Sequence, residues 1–374
     1  MDQDIKLVVI KMGTGLLSAG KGEIHTKRIS QICAGIDFLK QQGIRVLLVS
    51  SGAVGLGMGK LGLDKRPQEL SLLRSCASIG QSELMHSWKS SLEKHGLLAA
   101  QILLTREDFN EQSRSQKVKE TIQTLLDHDV VPVVNENDSV SDEELKFGDN
   151  DVLSALLTSL SLAELLIILT TAKGLMTSAD SGVLVPFVSE ITPDIEKMAE
   201  GTKSATAVGG MVTKIEAAKV ATKSGCAVFI GSGENPDRLS QIIDGNAEGT
   251  FFAPAGLSLN QRKKWLAFFP KPKGSLEIDH GACQAILGKG ASLLASGVTG
   301  ISGTFGRSEV VSLVSKDGKV IARGICRFSN TELEQILGST NETVLQVHTW
   351  CAHPEVIHRD FLAPLLKKEQ LPED

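Results

Sequence analysis

The sequence predicts an α/β fold: a domain whose mainly parallel sheet is covered by helices on both faces, followed by a small, mostly β module. Three observations predict it. Apolar, strand-like runs alternate with helical patterns over roughly the first 255 residues. A basic stretch with proline and glycine interrupts that alternation near Pro254. Short strands and turns follow, including the hairpin signal KDGK at Lys316–Lys319.

Six apolar runs have the length and composition of buried strands. They are Leu7–Lys11, Arg45–Ser50, Ala100–Thr105, Val130–Asn135, Leu165–Thr170 and Ala227–Ser232. Helical patterns lie between most of them, including Lys27–Gln42, Gln68–Lys94 and Thr213–Ser224. Strands that are apolar along their whole length are typical of a parallel sheet buried on both faces. Ligands of such sheets bind at the carboxyl ends of the strands, so functional residues are expected there.

The changes in pattern predict four segments along the chain. These are an α/β domain over residues 1–255, an exposed linker over 256–274, a mostly β module over 275–355 and a tail over 356–374. The apolar stretch Val152–Ala172 carries one charge, Glu164, and was considered as a membrane span. Its serines and threonines and its Leu- and Ile-rich second half instead predict a buried helix, a tight turn and a buried strand.

Composition excludes several classes of protein. A chain of 374 residues has room for two or three domains, and its net charge of −5 argues against a general nucleic-acid or membrane binder. The six cysteines are scattered and form no CxxC pair, which is typical of reduced thiols in the cytosol. The start, MDQDIKLVVIK, lacks the basic region of a signal peptide, so we expect a cytoplasmic protein without a membrane anchor.

Three glycine-containing loops are candidates for phosphate binding. KMGTG begins at Lys11, SSGAVGLG begins at Ser50, and AVGGMVTK places Lys214 near the start of a helix. Glycines there let backbone amides approach an anion, although tight turns use glycine for steric reasons alone. A lysine at the positive end of a helix is unfavourable unless an anion lies nearby. A solvated surface lysine is the alternative interpretation of Lys214.

An acidic loop, Asn135–Asp151, follows the fourth predicted strand and contains KFGDND. Its simplest interpretation is a solvated turn with a helix cap. However, Asp138, Asp149, Asn150 and Asp151 cluster at the carboxyl end of a strand. Carboxylates and amides placed there can hold an ammonium group, orient lysines or bind hydrated Mg²⁺.

Taken together, the loops resemble one family, the glutamate 5-kinases within the amino acid kinase family. The motifs that carry the resemblance are KMGTG, SSGAVGLG, NENDSV, KFGDND, LTTAKGL and GGMVTK, in this order. The stretch from GSLEIDHG to ICRFS, with EVIHRDFL after it, resembles the PUA domain that commonly follows the kinase domain in bacterial members. The resemblance implies a three-layer α/β/α kinase domain that phosphorylates the γ-carboxylate of L-glutamate with ATP and Mg²⁺, the first step of proline biosynthesis.

The resemblance also implies a role for individual residues. Lys11 and Lys214 would hold the transferring phosphoryl group, and Asp151 would orient both lysines. Glutamate would be bound by Ser51, Asp138 and Asn150. The residues that would bind ATP are Lys11, Thr170, Thr171, Val208, Gly209, Gly210, Met211, Val212, Thr213 and Lys214. The resemblance does not identify the residues that would contact the metal.

Several alternatives stay open at this point. The chain departs from the family pattern at TTAKGLMTSAD, where Thr171 replaces an aspartate and Met176 a tyrosine. Another amino acid kinase, acting on acetylglutamate, aspartate, carbamate or UMP, is the nearest alternative. An RNA-binding or regulatory protein with an inactive kinase domain is the second. The resemblance further implies assembly into a homodimer or homotetramer and feedback inhibition by proline.

Overall fold

The computed structural model describes residues 5–366, except 21, 141–149, 179–181, 201–209, 236–237, 256–262, 264–265, 268–269 and 271. The chain forms two compact units, Met1–Gly256 and Leu257–Asp374. The first unit contains a large α/β sheet, and the second contains a smaller sheet with short helices.

The first unit is built on an eight-stranded sheet. Its strands are β1 (Leu7–Met12), β4 (Arg45–Ser50), β5 (Ala99–Leu104), β6 (Val131–Glu136), β7 (Leu165–Thr170), β8 (Phe187–Val188), β9 (Ala227–Ser232) and β10 (Thr250–Phe252). A separate hairpin consists of β2 (Ser18–Gly20) and β3 (Glu23–Ile24). The strand order is β5-β6-β4-β1-β7-β9-β10-β8, and the neighbours from β5 to β9 are all parallel.

The six predicted apolar runs form β1, β4, β5, β6, β7 and β9, which are neighbours in the sheet. The predicted parallel sheet is therefore confirmed. Three runs have the observed bounds, one differs by one residue at its end, and two are shifted by one residue at both ends. Two further strands were not predicted: β10, which pairs antiparallel with β9, and β8, which pairs with β10. Both are very short strands, and they are defined by their pairing partners rather than by a pattern of their own.

Ten helices are described in the first unit. They are α1 (Thr14–Leu17), α2 (Thr26–Gln41), α3 (Ala53–Lys60), α4 (Leu70–Glu93), α5 (Glu107–Asn110), α6 (Gln112–Asp127), α7 (Asn150–Ser161), α8 (Pro193–Glu200), α9 (Met211–Lys223) and α10 (Arg238–Ile243). The three predicted helices correspond to α2, α4 and α9. Their ends differ by one or two residues, and α9 begins at Met211 instead of Thr213.

Helices cover both faces of the large sheet, as predicted. On one face, alternate residues of β1 such as Val8 and Ile10 pack with buried residues of α2, α4 and α10. On the other face, Val9 is equally buried, and α7 contacts β1, β4 and β7. Because successive side chains of a strand point to opposite faces, this alternation gives three layers. The three-layer α/β/α fold is therefore confirmed.

The apolar stretch that had been considered as a membrane span is the buried helix α7, a turn and the strand β7. Leu162 forms the turn with a φ of 60°, a conformation that glycine usually adopts. Every residue of β7 up to Leu169 is fully buried in the sheet. No helix within the described part of the chain is long and apolar enough to cross a membrane.

The second unit contains a five-stranded sheet in the order β12-β11-β13-β14-β15. Its strands are β11 (Gly274–Ile278), β12 (Val298–Gly303), β13 (Val310–Ser315), β14 (Val320–Ile325) and β15 (Leu362–Pro364). Its α-helices are α11 (His280–Lys289), α12 (Asn330–Glu334) and α13 (Asn341–Val347). The predicted hairpin is confirmed, because β13 and β14 are antiparallel and are joined through Gly318 at φ 82°.

The ends of the second unit differ from the expected linker and tail. Leu266 and Ala267 are buried, so the expectation of an exposed linker is wrong at these positions. Arg323 on β14 donates to the carbonyls of Ala267 and Pro270, which attaches this segment to the small sheet. At the other end, β15 lies within the residues expected to form a tail, and it pairs with β14.

Candidate active site

Three charged side chains meet in the interior of the first unit, although they come from distant parts of the chain. The Nζ of Lys11 lies 2.6 Å from Oδ1 of Asp151, and the Nζ of Lys214 lies 2.9 Å from Oδ2. Lys11 is 2% exposed, Asp151 0% and Lys214 5%. Two ammonium groups thus share one carboxylate in a buried cluster.

The secondary structure explains why these three residues meet. Lys11 lies near the carboxyl end of β1, in the middle of the sheet. Asp151 lies in the first turn of α7, and Lys214 lies near the start of α9. α7 contacts α9 and β1, so both helix starts face the same strand end. The interpretation of Lys214 as a solvated surface lysine is wrong, because its charge is buried and paired with Asp151.

Asp151 is ionised throughout the ordinary pH range. Burial by itself would raise the pKa of its carboxyl group, but the ammonium groups of Lys11 and Lys214 hold that pKa well below its usual range. Thr213 also donates its hydroxyl to Oδ2 at 3.0 Å. A carboxylate with these neighbours cannot serve as a proton acceptor near neutral pH. It can fix the positions of the two lysines.

A second buried group, made of side-chain amides, adjoins the charged cluster through Asn150. The Nδ2 of Asn150 contacts Ser51 Oγ at 2.8 Å, Asn135 Oδ1 at 2.8 Å and the carbonyl of Ser50 at 3.1 Å. A carbonyl can only accept, so the amide nitrogen of Asn150 must point towards Ser50. Its Oδ1 points away from these partners and is a buried acceptor without a hydrogen bond in the described structure.

The loop that contains Ser51 has a fixed backbone as well as fixed side chains. Gly52 precedes α3 with a φ of 104°, a conformation that side chains other than hydrogen strongly disfavour. Trp88 of α4 is fully buried and donates its indole N–H to Ser50 Oγ at 2.8 Å. The start of α3 therefore lies beside Ser51 and Asn150 with its amides directed out of the helix, where they can bind an anion.

Close packing of two helices holds this loop in place. A Cβ atom on Gly80 of α4 would overlap the carbonyl oxygen of Ala53, and one on Gly57 of α3 would overlap that of Cys76. The two helices therefore approach to backbone contact at these glycines. In the sequence, Gly57 belongs to a loop pattern typical of phosphate binding, and Gly80 has no pattern that predicts this contact.

Two cavities flank the start of α3. The larger one has a volume of about 520 Å³, and Thr14, Ser51 and Gly52 are among its lining residues. The smaller one has a volume of about 230 Å³, and its lining includes Gln81 and Asp138. Asp138 is half-buried in a turn just after β6. The predicted glutamate residues thus lie on both sides of one helix start rather than in one cavity.

Those predicted nucleotide-binding residues that the structure describes lie at the same edge of the sheet. Thr170 ends β7, next to β1, and its carbonyl accepts from the amide of Gly233 at 3.0 Å. Thr171 follows it and is exposed. The described members of the third loop are Gly210, which precedes α9, and the first residues of α9: Met211, Val212, Thr213 and Lys214. Val208, Gly209 and Asp149 lie outside the described residues.

Reasoning from the sequence missed three residues that hold the site together. Asn135 is 2% exposed and accepts from Asn150, and Gln81 and Trp88 of α4 contact Asn135 and Ser50. Asn135 is the first residue of the acidic loop Asn135–Asp151, so its position in the sequence is consistent with a role in the site. Gln81 and Trp88 occur in an ordinary helical pattern that gives no sign of these contacts.

Comparison with protein families gives two matches. The amino acid kinase family matches residues 6–232, and the PUA domain matches residues 274–347. Among solved structures, carbamate kinase from Giardia lamblia bound to AMP-PNP is similar with a TM-score of 0.51 and 17% identity. The alignment covers 68% of this chain and 100% of that one. At this identity the likeness concerns the fold alone.

Curated relatives match almost the whole chain. Glutamate 5-kinase from Trichlorobacter lovleyi is 40% identical over 96% of this chain and 97% of its own length. Glutamate 5-kinase from Syntrophotalea carbinolica is 42% identical, over 96% of this chain and 97% of its own. Glutamate 5-kinase from Deinococcus radiodurans is 39% identical, over 96% of this chain and 99% of its own.

Proposed function

Because this chain belongs to the amino acid kinase family, we propose that it is a glutamate 5-kinase. It transfers the γ-phosphoryl group of ATP to the γ-carboxylate of L-glutamate and produces L-glutamyl 5-phosphate and ADP, the first step of proline biosynthesis. The observation that carries the proposal is the buried cluster in which Lys11 and Lys214 share the carboxylate of Asp151. The near full-length similarity to glutamate 5-kinases supports the choice of substrate.

The two lysines suit the charge problem of this reaction. A carboxylate oxygen attacks the γ-phosphorus while the bond from that phosphorus to the β-phosphate oxygen breaks, so two anions must be brought together. Fixed positive charges stabilise the charge that spreads over the transferring group, and they do so best in a site without water. Lys11 and Lys214 carry two such charges, and Asp151 contacts both of them.

The reaction requires no general base. The γ-carboxylate of glutamate is already ionised at neutral pH, so the nucleophile has no proton to lose. Asp151 is held as an anion by its two lysines and cannot accept a proton there. We therefore assign Asp151 as the residue that holds Lys11 and Lys214 at a fixed separation. It acts on the rate through the position of those lysines.

Recognition of glutamate is assigned to Asn150, Ser51 and Asp138. The unpaired Oδ1 of Asn150 is a buried acceptor that the α-ammonium group of glutamate would satisfy. The Asp138 carboxylate provides an opposite charge for the same group. The Ser51 hydroxyl and the amides at the start of α3 can donate to a carboxylate of the substrate.

ATP is assigned to the loops at the ends of β1 and β7 and at the start of α9, including Thr170, Thr171 and the loop from Val208 to Lys214. Mg²⁺ is proposed to arrive as its complex with ATP. Both oxygens of Asp151 are already paired with lysines, and the described residues contain no group of three acidic, histidine or cysteine side chains suited to a metal. Mg²⁺ commonly binds through substrate phosphates and water, and it would neutralise phosphate charge during transfer.

Assembly, regulation and location complete the proposal. We propose a homodimer or homotetramer in the cytoplasm, where ATP is available, with proline as a feedback inhibitor. Light scattering of the purified chain measures the first property. Titration of proline into the kinase assay measures feedback inhibition. An unchanged rate of ADP release at saturating proline would show that proline does not inhibit the enzyme.

The deciding experiment is a coupled assay for ADP release by the full-length chain with ATP and Mg²⁺. L-glutamate is compared with N-acetylglutamate, aspartate, carbamate and UMP. We expect rapid ADP release with L-glutamate only, and trapping of the acyl phosphate with hydroxylamine should give the γ-hydroxamate. A gel shift with structured RNA is run beside it. Binding of RNA without ADP release would favour the regulatory alternative over the kinase.

A further inference from the structure

We propose that Gln81 is a positioning residue for glutamate recognition, acting through Asn135 on the orientation of Asn150. This inference rests on the proposed function, because it concerns how the same enzyme presents its acceptor to the substrate. It is carried by a chain of three side-chain amides whose orientations are fixed at both ends by the backbone.

The first fixed point is Asn135 at the end of β6. The amide N–H of Glu136 donates to Asn135 Oδ1 at 2.9 Å. A backbone N–H is only a donor, so the atom facing it must be the side-chain oxygen. The other side-chain atom, Nδ2, must then point the other way. It donates to Oε1 of Gln81 at 2.8 Å, which fixes the amide of Gln81 as well.

The second fixed point is the carbonyl of Ser50 at the end of β4. It accepts from Nδ2 of Asn150, and the same Nδ2 lies 2.8 Å from Asn135 Oδ1. Both contacts require the side-chain nitrogen of Asn150 to face Ser50 and Asn135. The oxygen of Asn150 is consequently turned away from the amide chain and left as the buried acceptor. The orientation of this atom therefore depends on Asn135, and the orientation of Asn135 depends in part on Gln81.

Gln81 is well placed for this role because α4 is held rigidly. Trp88 lies seven residues later, on the same side of the helix, and it bonds Ser50. Gly80, next to Gln81, packs against the backbone of α3 without space for a side chain. One helix thus supports both strand ends that Asn150 contacts. If Gln81 is removed, the Nδ2 of the buried Asn135 loses its acceptor, and the amide chain can rearrange.

The test replaces Gln81 with methionine, which has a similar length and no amide. We expect Gln81→Met to raise the KM for glutamate about tenfold, with the KM for ATP and the melting temperature nearly unchanged. Gln116→Met is the matched control, since Gln116 is an exposed helical glutamine bonded to Glu120 in its own helix. Gln81→Ala, measured in the same way, covers the case in which the methionine variant does not fold.

A double-mutant cycle with Asn135→Ala separates positioning from general packing. If Gln81 acts through Asn135, Gln81→Met has no further effect on the glutamate KM once Asn135 is alanine. Full additivity of the two effects would overturn the inference, and so would an unchanged glutamate KM in both Gln81 variants. If the wild type releases no ADP with glutamate, the proposed function fails first and this inference fails with it.

Discussion

Lys11 and Asp151 form an ion pair of 2.6 Å in which both side chains are almost completely buried. A buried pair of this kind is weak evidence for stability, because removing two charges from water costs about as much as their attraction returns. Lys214 adds a second positive charge to the same carboxylate. Stability alone therefore does not explain the cluster, whereas the phosphoryl transfer that we propose for it does.

The first prediction concerns the two lysines. Lys11→Ala and Lys214→Ala should each reduce kcat by about a hundredfold or more, because each removes a fixed charge from the transferring group. The double variant should lose less than the product of the two effects if the lysines act as a unit. Lys219→Ala, on the same helix as Lys214 but paired with Glu196 at the surface, is the control. A near-normal kcat for Lys214→Ala would refute the assignment.

The second prediction concerns Asp151. Asp151→Asn should lower kcat strongly with little change in either KM, since the lysines lose their common anchor. It should also lower the free energy of unfolding by about 3–5 kcal/mol, because two buried ammonium groups lose the carboxylate that they share. A glutamate-specific rise in KM with an unchanged kcat would place Asp151 in the substrate site instead.

The third prediction is the pH dependence of that stability. The pKa of Asp151 is lower in the folded chain than in the unfolded chain, so its contribution is complete above the unfolded value of about 3.9. The contribution is lost as pH falls below that value towards the folded pKa. Urea unfolding of wild type and Asp151→Asn should therefore differ by a constant amount from pH 8 to 5, and the difference should shrink in more acidic buffer. A difference that disappears between pH 8 and 6 would contradict the ionised assignment.

The fourth prediction concerns the α-ammonium group of glutamate. N-acetylglutamate lacks this charge and so loses the charge-assisted pairing with Asp138 and with Oδ1 of Asn150, and kcat/KM should fall more than about a hundredfold. Asp138→Ala and Asn150→Ala should raise the KM for glutamate far more than the KM for ATP. The two KM values for each variant decide the matter. An Asp138→Ala enzyme with normal glutamate KM and impaired ATP binding would assign the acidic loop to the nucleotide.

The fifth prediction tests the contact between α3 and α4. Gly80→Ala should destabilise the fold by about 1–3 kcal/mol, because the new methyl group overlaps the backbone at Ala53. Gly55→Ala is the matched control within α3: a Cβ there meets nothing within 4 Å, and alanine favours helix over glycine by up to about 1 kcal/mol. Thermal unfolding measures both. Equal melting temperatures for the two variants would mean that the helices can separate without cost.

Part of the site could be predicted from the sequence because it lies in short, continuous motifs. The strands Arg45–Ser50, Leu165–Thr170 and Ala227–Ser232 were located by their apolar runs alone. Lys11 was identified from the glycine loop at the end of its strand. In contrast, the short antiparallel strand β10 has no pattern apart from its pairing with β9. The burial of Leu266 could not be predicted either, because a basic, proline-containing stretch has the composition of an exposed linker.

The sequence by itself determined the alternation of strands and helices, the residue types at the strand ends and the family to which the loops are similar. These features depend on local periodicity and on motifs a few residues long. Only the tertiary structure decided that Asp151 lies between Lys11 and Lys214, and that Gln81 and Trp88 of one helix support Asn135 and Ser50. Contacts between residues so far apart in the chain depend on strand order and on the packing of helices against the sheet, and local sequence specifies neither of these.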